Sequence, residues 1–170
     1  MEYTSVRPTA IKWGGISGAI SVVTSTISFF TLENTTLTLI MSFIGFVVGV
    51  LVLVLAFREY KDANGGFMSL GKGTWLGILI SLISGLIGAL WNIIYALVID
   101  NELWDTLIDQ SMAAIESQPG IPDSMLSMYD TMYSFTFSPV GQILIAVFGA
   151  FTGGAILSLI VAAIMKKDRD

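Results

Sequence analysis

Neither histidine nor cysteine occurs among the 170 residues, which sharply limits the chemistry open to the chain. No thiolate or imidazole metal site, cysteine nucleophile, disulfide scaffold or Ser-His-Asp triad can be built without them. The nearest approach to a phosphate loop is Gly66-Phe67-Met68-Ser69-Leu70-Gly71-Lys72-Gly73. It almost matches G-x-x-x-x-G-K-[ST], but glycine replaces the Mg²⁺-binding hydroxyl, no strand precedes it and a long apolar run follows. A glycine-rich membrane hairpin is the better account. Acids at Asp100, Glu102, Asp105, Asp109, Glu116, Asp123 and Asp130 raise the question of calcium, yet no D-x-D-x-D-G loop is present. No carboxylate pair and no nucleophile–base couple can be assembled. The expectation is therefore no catalytic residue, no cofactor, no metal and no enzymatic activity.

Polar groups inside the apolar runs are the remaining candidates. Ser17, Ser21, Thr24, Ser25 and Ser28 form a hydroxyl stripe, and Trp91, Asn92 and Tyr95 cluster later in the chain. Such groups bond carbonyls of the preceding turn or a neighbouring helix, or else line a path for a small solute. No carboxylate, lysine or arginine lies in the middle of a run. Ion-coupled pumps and proton relays generally place charge there despite its cost, so secondary transport is disfavoured.

The elements that must position these residues are membrane helices. Hydrophobic residues make up 54% of the chain and charged residues 12%, about half the charged share of a soluble domain. Apolar runs at 11–32, 36–57, 73–99 and 139–165 each exceed the twenty or so residues needed to cross about 30 Å of hydrocarbon. A β-barrel would need alternating segments of about ten residues, and these runs do not alternate. The expected fold is all-α: an integral membrane four-helix bundle, a single domain over 1–170. Glu33-Asn34-Thr35 forces a tight connection between the first two helices. The acceptor-like Asn34-Thr35-Thr36 hugs the membrane and carries no weight. Asn64-Gly65-Gly66 marks a turn between the second and third helices.

Charge sets the orientation. Arg7, Lys12, Arg58, Lys61, Lys72, Lys166, Lys167 and Arg169 all lie before or at the very start of the first run, between the second and third, or after the fourth. Those segments should be cytoplasmic. Glu33 and the acids of 100–138, where no base occurs, then lie outside. Both termini are expected inside, and the first run is too long for a signal-peptide core, which makes it a retained helix. The net charge of −5 argues against nucleic acid.

Segment 100–138 reads as two amphipathic helices broken at Pro119-Gly120-Ile121-Pro122, with Ser138-Pro139 as N-cap and N1 proline of the last run. Trp104, Leu107, Ile108, Met125, Met128, Met132 and Tyr133 are too apolar to face water together. The two helices are expected to cover the bundle mouth, the lipid interface or a partner, with these side chains folded over the outer mouth of the third and fourth spans as a lid or accepting a partner helix. Within the spans, small residues recur every fourth position: Gly73, Gly77, Ser81, Gly85 and Ala89, then Ala146, Ala150, Gly154, Ser158 and Ala162. Gly14 with Gly18 and Gly45 with Gly49 add two GxxxG pairs. Lipid tails are as apolar as leucine, so helices associate through close backbone approach, which such stripes permit. Val52 is expected to face outward.

Several of these features together resemble a family of four-helix membrane proteins typical of the Bacteroidetes, catalogued as domain of unknown function 4199. The resemblance rests on Ile11-Lys12-Trp13-Gly14, on Arg58-Glu59-Tyr60-Lys61 with Asn64-Gly65-Gly66-Phe67 and Ser69-Leu70-Gly71, and on the acidic, Met-rich segment ending in Ser138-Pro139. The closing Ser158-Leu159-Ile160-Val161-Ala162-Ala163-Ile164 and its following lysines complete it. It implies a multi-pass protein of the bacterial inner (cytoplasmic) membrane and brings no activity with it. The expected role is a non-enzymatic structural or accessory subunit, held in the lipid bilayer and binding another membrane protein or itself. It would do so through the outer loop or the small-residue helix faces. The alternative is a small carrier or flippase-like protein for a lipid-linked or apolar solute.

Overall fold

A computed structural model describes residues 4–32 and 34–168. Glu33, read as part of the first tight connection, and Arg169, counted among the cytoplasmic bases, lie outside the described residues. The described chain is all-α. Helix α1 runs Arg7–Phe29, α2 Thr35–Ala63, α3 Leu70–Ile99, α4 Leu103–Glu116, α5 Asp123–Thr136 and α6 Pro139–Met165. Single π turns occur at Tyr95–Ile99, ending α3, and at Ala150–Gly154, in the middle of α6.

Local chemistry explains most of the boundaries. Asn34 caps α2 by accepting the Leu37 N–H at 3.1 Å, so the acceptor-like Asn-Thr-Thr is a helix start. At the other end of α2, Gly65 and Gly66 take φ of +66° and +89°, a conformation that side chains with a Cβ seldom adopt. The Gly66 N–H closes the helix on the Lys61 carbonyl. Ser138 accepts the Gly141 N–H at 3.1 Å with Pro139 at the first helical position. Gly120, with φ of +86°, and its flanking prolines separate α4 from α5.

Helices α2, α3 and α6 are long and apolar enough to cross a membrane. At 23 residues α1 is also long enough, but it is not among them. Lys12, three glycines and its serines and threonines dilute its apolarity.

The chain divides into two compact units, one comprising the chain up to Gly88 and again from Ala146, the other Ala89–Ile145. The core of the first unit gathers at one end. Val6 and Ala10 come from the start of α1, and Val52, Leu53, Ala56, Phe57 and Tyr60 from the second half of α2. Met68 before α3, Leu76 and Ile80 of α3, and Val161 and Ala162 of α6 complete it. Val52 is buried, not outward-facing as its place in an apolar run suggested; the face of α2 that carries Ala56 and Tyr60 also carries Val52. In the second unit Tyr95, Ala96, Leu103 and Gly141 are buried, and α4 packs against α5.

Candidate functional site

The densest set of specific contacts lies where α2 turns into α3. Lys12 reaches Glu59 at 2.6 Å, and the Trp13 indole N–H donates to the same carboxylate oxygen at 3.0 Å. The Lys12 ammonium also stands 5.4 Å from the Trp13 ring. The next residue, Tyr60, is buried, and its hydroxyl donates to the Thr4 carbonyl at 2.9 Å. Buried Asn64 accepts the Thr4 N–H at 2.6 Å and donates to the Tyr60 carbonyl at 2.8 Å. The segment before α1 is thereby tied to α2 through backbone groups that would otherwise need water.

The end of α6 is tied to the same turn. Lys61 donates to the Met165 carbonyl at 2.8 Å, placing a cation on the partial negative charge of a helix C-terminus. Met68 and Lys167 exchange two backbone hydrogen bonds, 2.9 and 3.0 Å, in an isolated antiparallel bridge. Lys167 lies 5.3 Å from the Phe67 ring. The resulting clasp holds both ends of the unit on one turn. Its residues stood in the sequence as a motif, but nothing in their spacing revealed what they bind, because their partners lie 46–104 positions away.

The phosphate-loop look-alike falls in this region and forms no cradle. Leu70 already begins α3, so Gly71, Lys72 and Gly73 are helical. Gly73 is pressed against Ala162, where a Cβ would meet the alanine methyl at 2.8 Å.

That contact opens a series. Gly73 faces Ala162, Gly77 faces Ser158, and Ser81 faces Gly154 at 2.7 Å from a Cβ placed there. Each step of four residues on α3 meets a step of four in the opposite direction on α6, an antiparallel seam of small residues. Gly85 then meets Ala146, more loosely at 3.4 Å, while Ala150, in the π turn, is buried. A π turn takes an extra residue, and the regular pairing ends there. On its other side α3 receives α1: Gly14 lies under Ile83 and Gly18 under Ile87, with virtual Cβ contacts of 2.7 and 2.6 Å. A Cβ placed at Gly45 or Gly49 of α2 would meet nothing within 4 Å outside its own helix.

The hydroxyl stripe of α1 is largely spent on its own helix. Ser21 donates to the Gly18 carbonyl, Thr24 to Ile20 and Ser21, Ser25 to Val22 and Ser28 to Thr24. Ser17 is different: its hydroxyl accepts from Ser84 of α3 at 3.1 Å. Ser158 is fully buried, and its Oγ has no hydrogen-bond partner among the described residues.

In the second unit, Trp104, Leu107 and Ile108 of α4 are half-buried, and the wholly buried residue of that helix is Leu103. Tyr133 is half-buried and stacked on Tyr129, ring centroids 6.4 Å apart. Met125, Met128 and Met132 are exposed, as is Phe135, which the sequence reading passed over. Asn92 and Gln142 approach at 3.5 Å, and Gln142 donates to the Thr136 carbonyl at 2.9 Å. Among the described residues no group of three or more acids stands close enough to hold a metal ion.

A family model matches residues 12–167, that of a protein of unknown function, DUF4199. Comparison with curated proteins and with solved structures gave no match.

Proposed function

Because the chain belongs to the DUF4199 family of proteins of unknown function, we propose that it is a non-enzymatic structural or accessory subunit of a bacterial inner membrane. In this reading it crosses the bilayer four times with both termini cytoplasmic. Support for α1 as the fourth span is its length and its close seat on α3 through Gly14 and Gly18. Support for the orientation is the confinement of the described lysines and arginines to the segments at the clasped end. Reporter fusions after Gly65 should behave as cytoplasmic and those after Asp109 or Pro119 as periplasmic; the reverse pattern overturns the orientation.

The observation that carries the subunit role is the first half of α2. From Leu37 to Val47 nearly every residue is exposed, on all sides of the helix, and Gly45 and Gly49 face open space. A second helix, from another membrane protein or from a second copy, could approach that backbone closely. The chain has no cysteine, so Gly45→Cys or Gly49→Cys can be cross-linked in native membranes with no background. One discrete adduct, lost when Gly49→Cys is combined with Gly45→Leu, is expected; no adduct at either position overturns the proposal. Because the α1 hydroxyls bond mostly within their own helix, no observation favours the carrier alternative.

A further inference from the structure

The exposed side chains of α5 are arranged, not scattered. At 100° per residue, Met125, Met128, Met132 and Phe135 occupy a sector of about 80°. Leu126, Tyr129 and Tyr133, all half-buried, fill the adjoining sector. Asp123 and Asp130 stand roughly opposite the stripe. Met128 is 57% exposed and Phe135 50%: an uninterrupted apolar strip with no acid in it.

The corner between α5 and α6 is built rigidly. The Ser138 hydroxyl donates to the Phe135 carbonyl at 2.6 Å and accepts the Gly141 N–H at 3.1 Å. Gln142 ties the Thr136 carbonyl to the first turn of α6. Gly141 is pressed on the Phe135 carbonyl so closely that no Cβ would fit. The end of α5 is thus fixed to the start of a helix apolar enough to span a membrane. The exposed side chains of that first turn, Val140 and Ile143, extend the apolar surface beyond the corner.

We propose that α5 lies in the membrane interface, its Met125–Met128–Met132–Phe135 stripe inserted among lipid acyl chains, with Asp123 and Asp130 toward water. The occupant of the stripe is lipid, because the stripe ends at the edge of a span whose own exposed face is apolar. Unbranched methionines suit a fluid, irregular surface, and an apolar stripe opposite a charged face is the pattern of helices that lie in the interface. Segment 89–145 has seven acids and no lysine or arginine, so the headgroups it accepts are neutral overall and not anionic. The inference rests on α6 being a span and not on the subunit role of α2.

Single cysteines at Met128, Met132, Asp123 and Asp130, spin-labelled in the full chain in zwitterionic nanodiscs, test it by collision with oxygen and with a neutral nickel chelate. Phe148→Cys, on the exposed flank of α6, verifies that each preparation is inserted and reports lipid contact. The oxygen-to-nickel accessibility ratio should be severalfold higher at 128 and 132 than at 123 and 130. Equal, high nickel accessibility at all four would place the stripe in water. Shielding of 128 and 132 from both reagents would place protein over it. Either result overturns the proposal, whatever the α2 cross-links show. Adding anionic lipid should not raise the ratio; a rise would overturn the assignment to neutral headgroups.

Discussion

The two halves of α2 are both rich in apolar residues, although only the second carries charge, and they are opposite in circumstance. Its second half buries Val52, Leu53, Ala56, Phe57 and Tyr60 and ends in the clasp. Its first half exposes Leu39, Phe43 and Phe46, and a Cβ at either glycine of the GxxxG pair would meet open space. Elsewhere in the first unit glycines 14, 18, 73, 77 and 154 are all in tight contact. A small residue in an apolar helix therefore marks a possible approach, and only the opposing helix decides whether the approach is made. Burial in the second half follows from partners supplied by α1, α3 and α6 at one end of the unit.

The largest effect should come from breaking the seam where it is tightest. Gly77→Leu drives a branched side chain into Ser158 on a helix that cannot withdraw without parting the α3–α6 pairs on either side. Overpacking of this kind costs about 1–3 kcal/mol, sometimes more, and here loss of the folded species in detergent is expected. Gly85→Leu meets Ala146 at ordinary contact distance and should cost less. Thermal unfolding in one mild detergent ranks the two, and a larger loss at Gly85 would refute the seam as described.

The clasp should come next. Asn64→Ala removes the buried amide that accepts the Thr4 N–H and donates to the Tyr60 carbonyl. A buried polar group stripped of its partner costs about 1–3 kcal/mol. The loss should appear as lower thermal stability and as earlier proteolysis of the segment before Arg7. Unchanged protection of that segment would mean the clasp does not hold it.

A smaller effect of opposite sign is expected at the centre of the seam. Ser158 is fully buried with its hydroxyl unpartnered, so Ser158→Ala removes a desolvated group and introduces no bulk toward Gly77. Stabilisation of about 1 kcal/mol, or about 2–4 °C for a chain of this size, should follow. Destabilisation would show that the hydroxyl has a role the static contacts do not reveal.

These residues show how far the sequence could be read. Apolar runs, the Asn64-Gly65-Gly66 turn, the Ser138-Pro139 helix start and the break at Pro119-Gly120-Ile121-Pro122 were legible, because each is local chemistry acting within a few residues. Val52 was misjudged because a helix apolar on every side has no periodicity to separate its faces. The clasp was visible only as an unexplained motif, since Tyr60 and Lys61 bind carbonyls whose positions no side-chain pattern encodes. Phe135 escaped notice because it lies in the last turn of α5, beside the Ser138-Pro139 start of the next helix.

The smallest expected change in stability is the one that sharpens the comparison most. Gly45→Leu and Gly49→Leu make the same chemical change as Gly77→Leu, but a Cβ at either position meets nothing within 4 Å outside its own helix. Leucine also favours the helix over glycine by up to about 1 kcal/mol in a soluble host, which adds a slight push toward stability. The isolated protein should therefore unfold within about 0.5 kcal/mol of the parent, measured in the same detergent as Gly77→Leu. If the subunit role is right, the loss appears instead in membranes, as reduced association with whatever helix packs there. A marked loss of stability in the isolated chain would mean that the first half of α2 is covered within its own unit. The contrast between the two halves of the helix would then disappear.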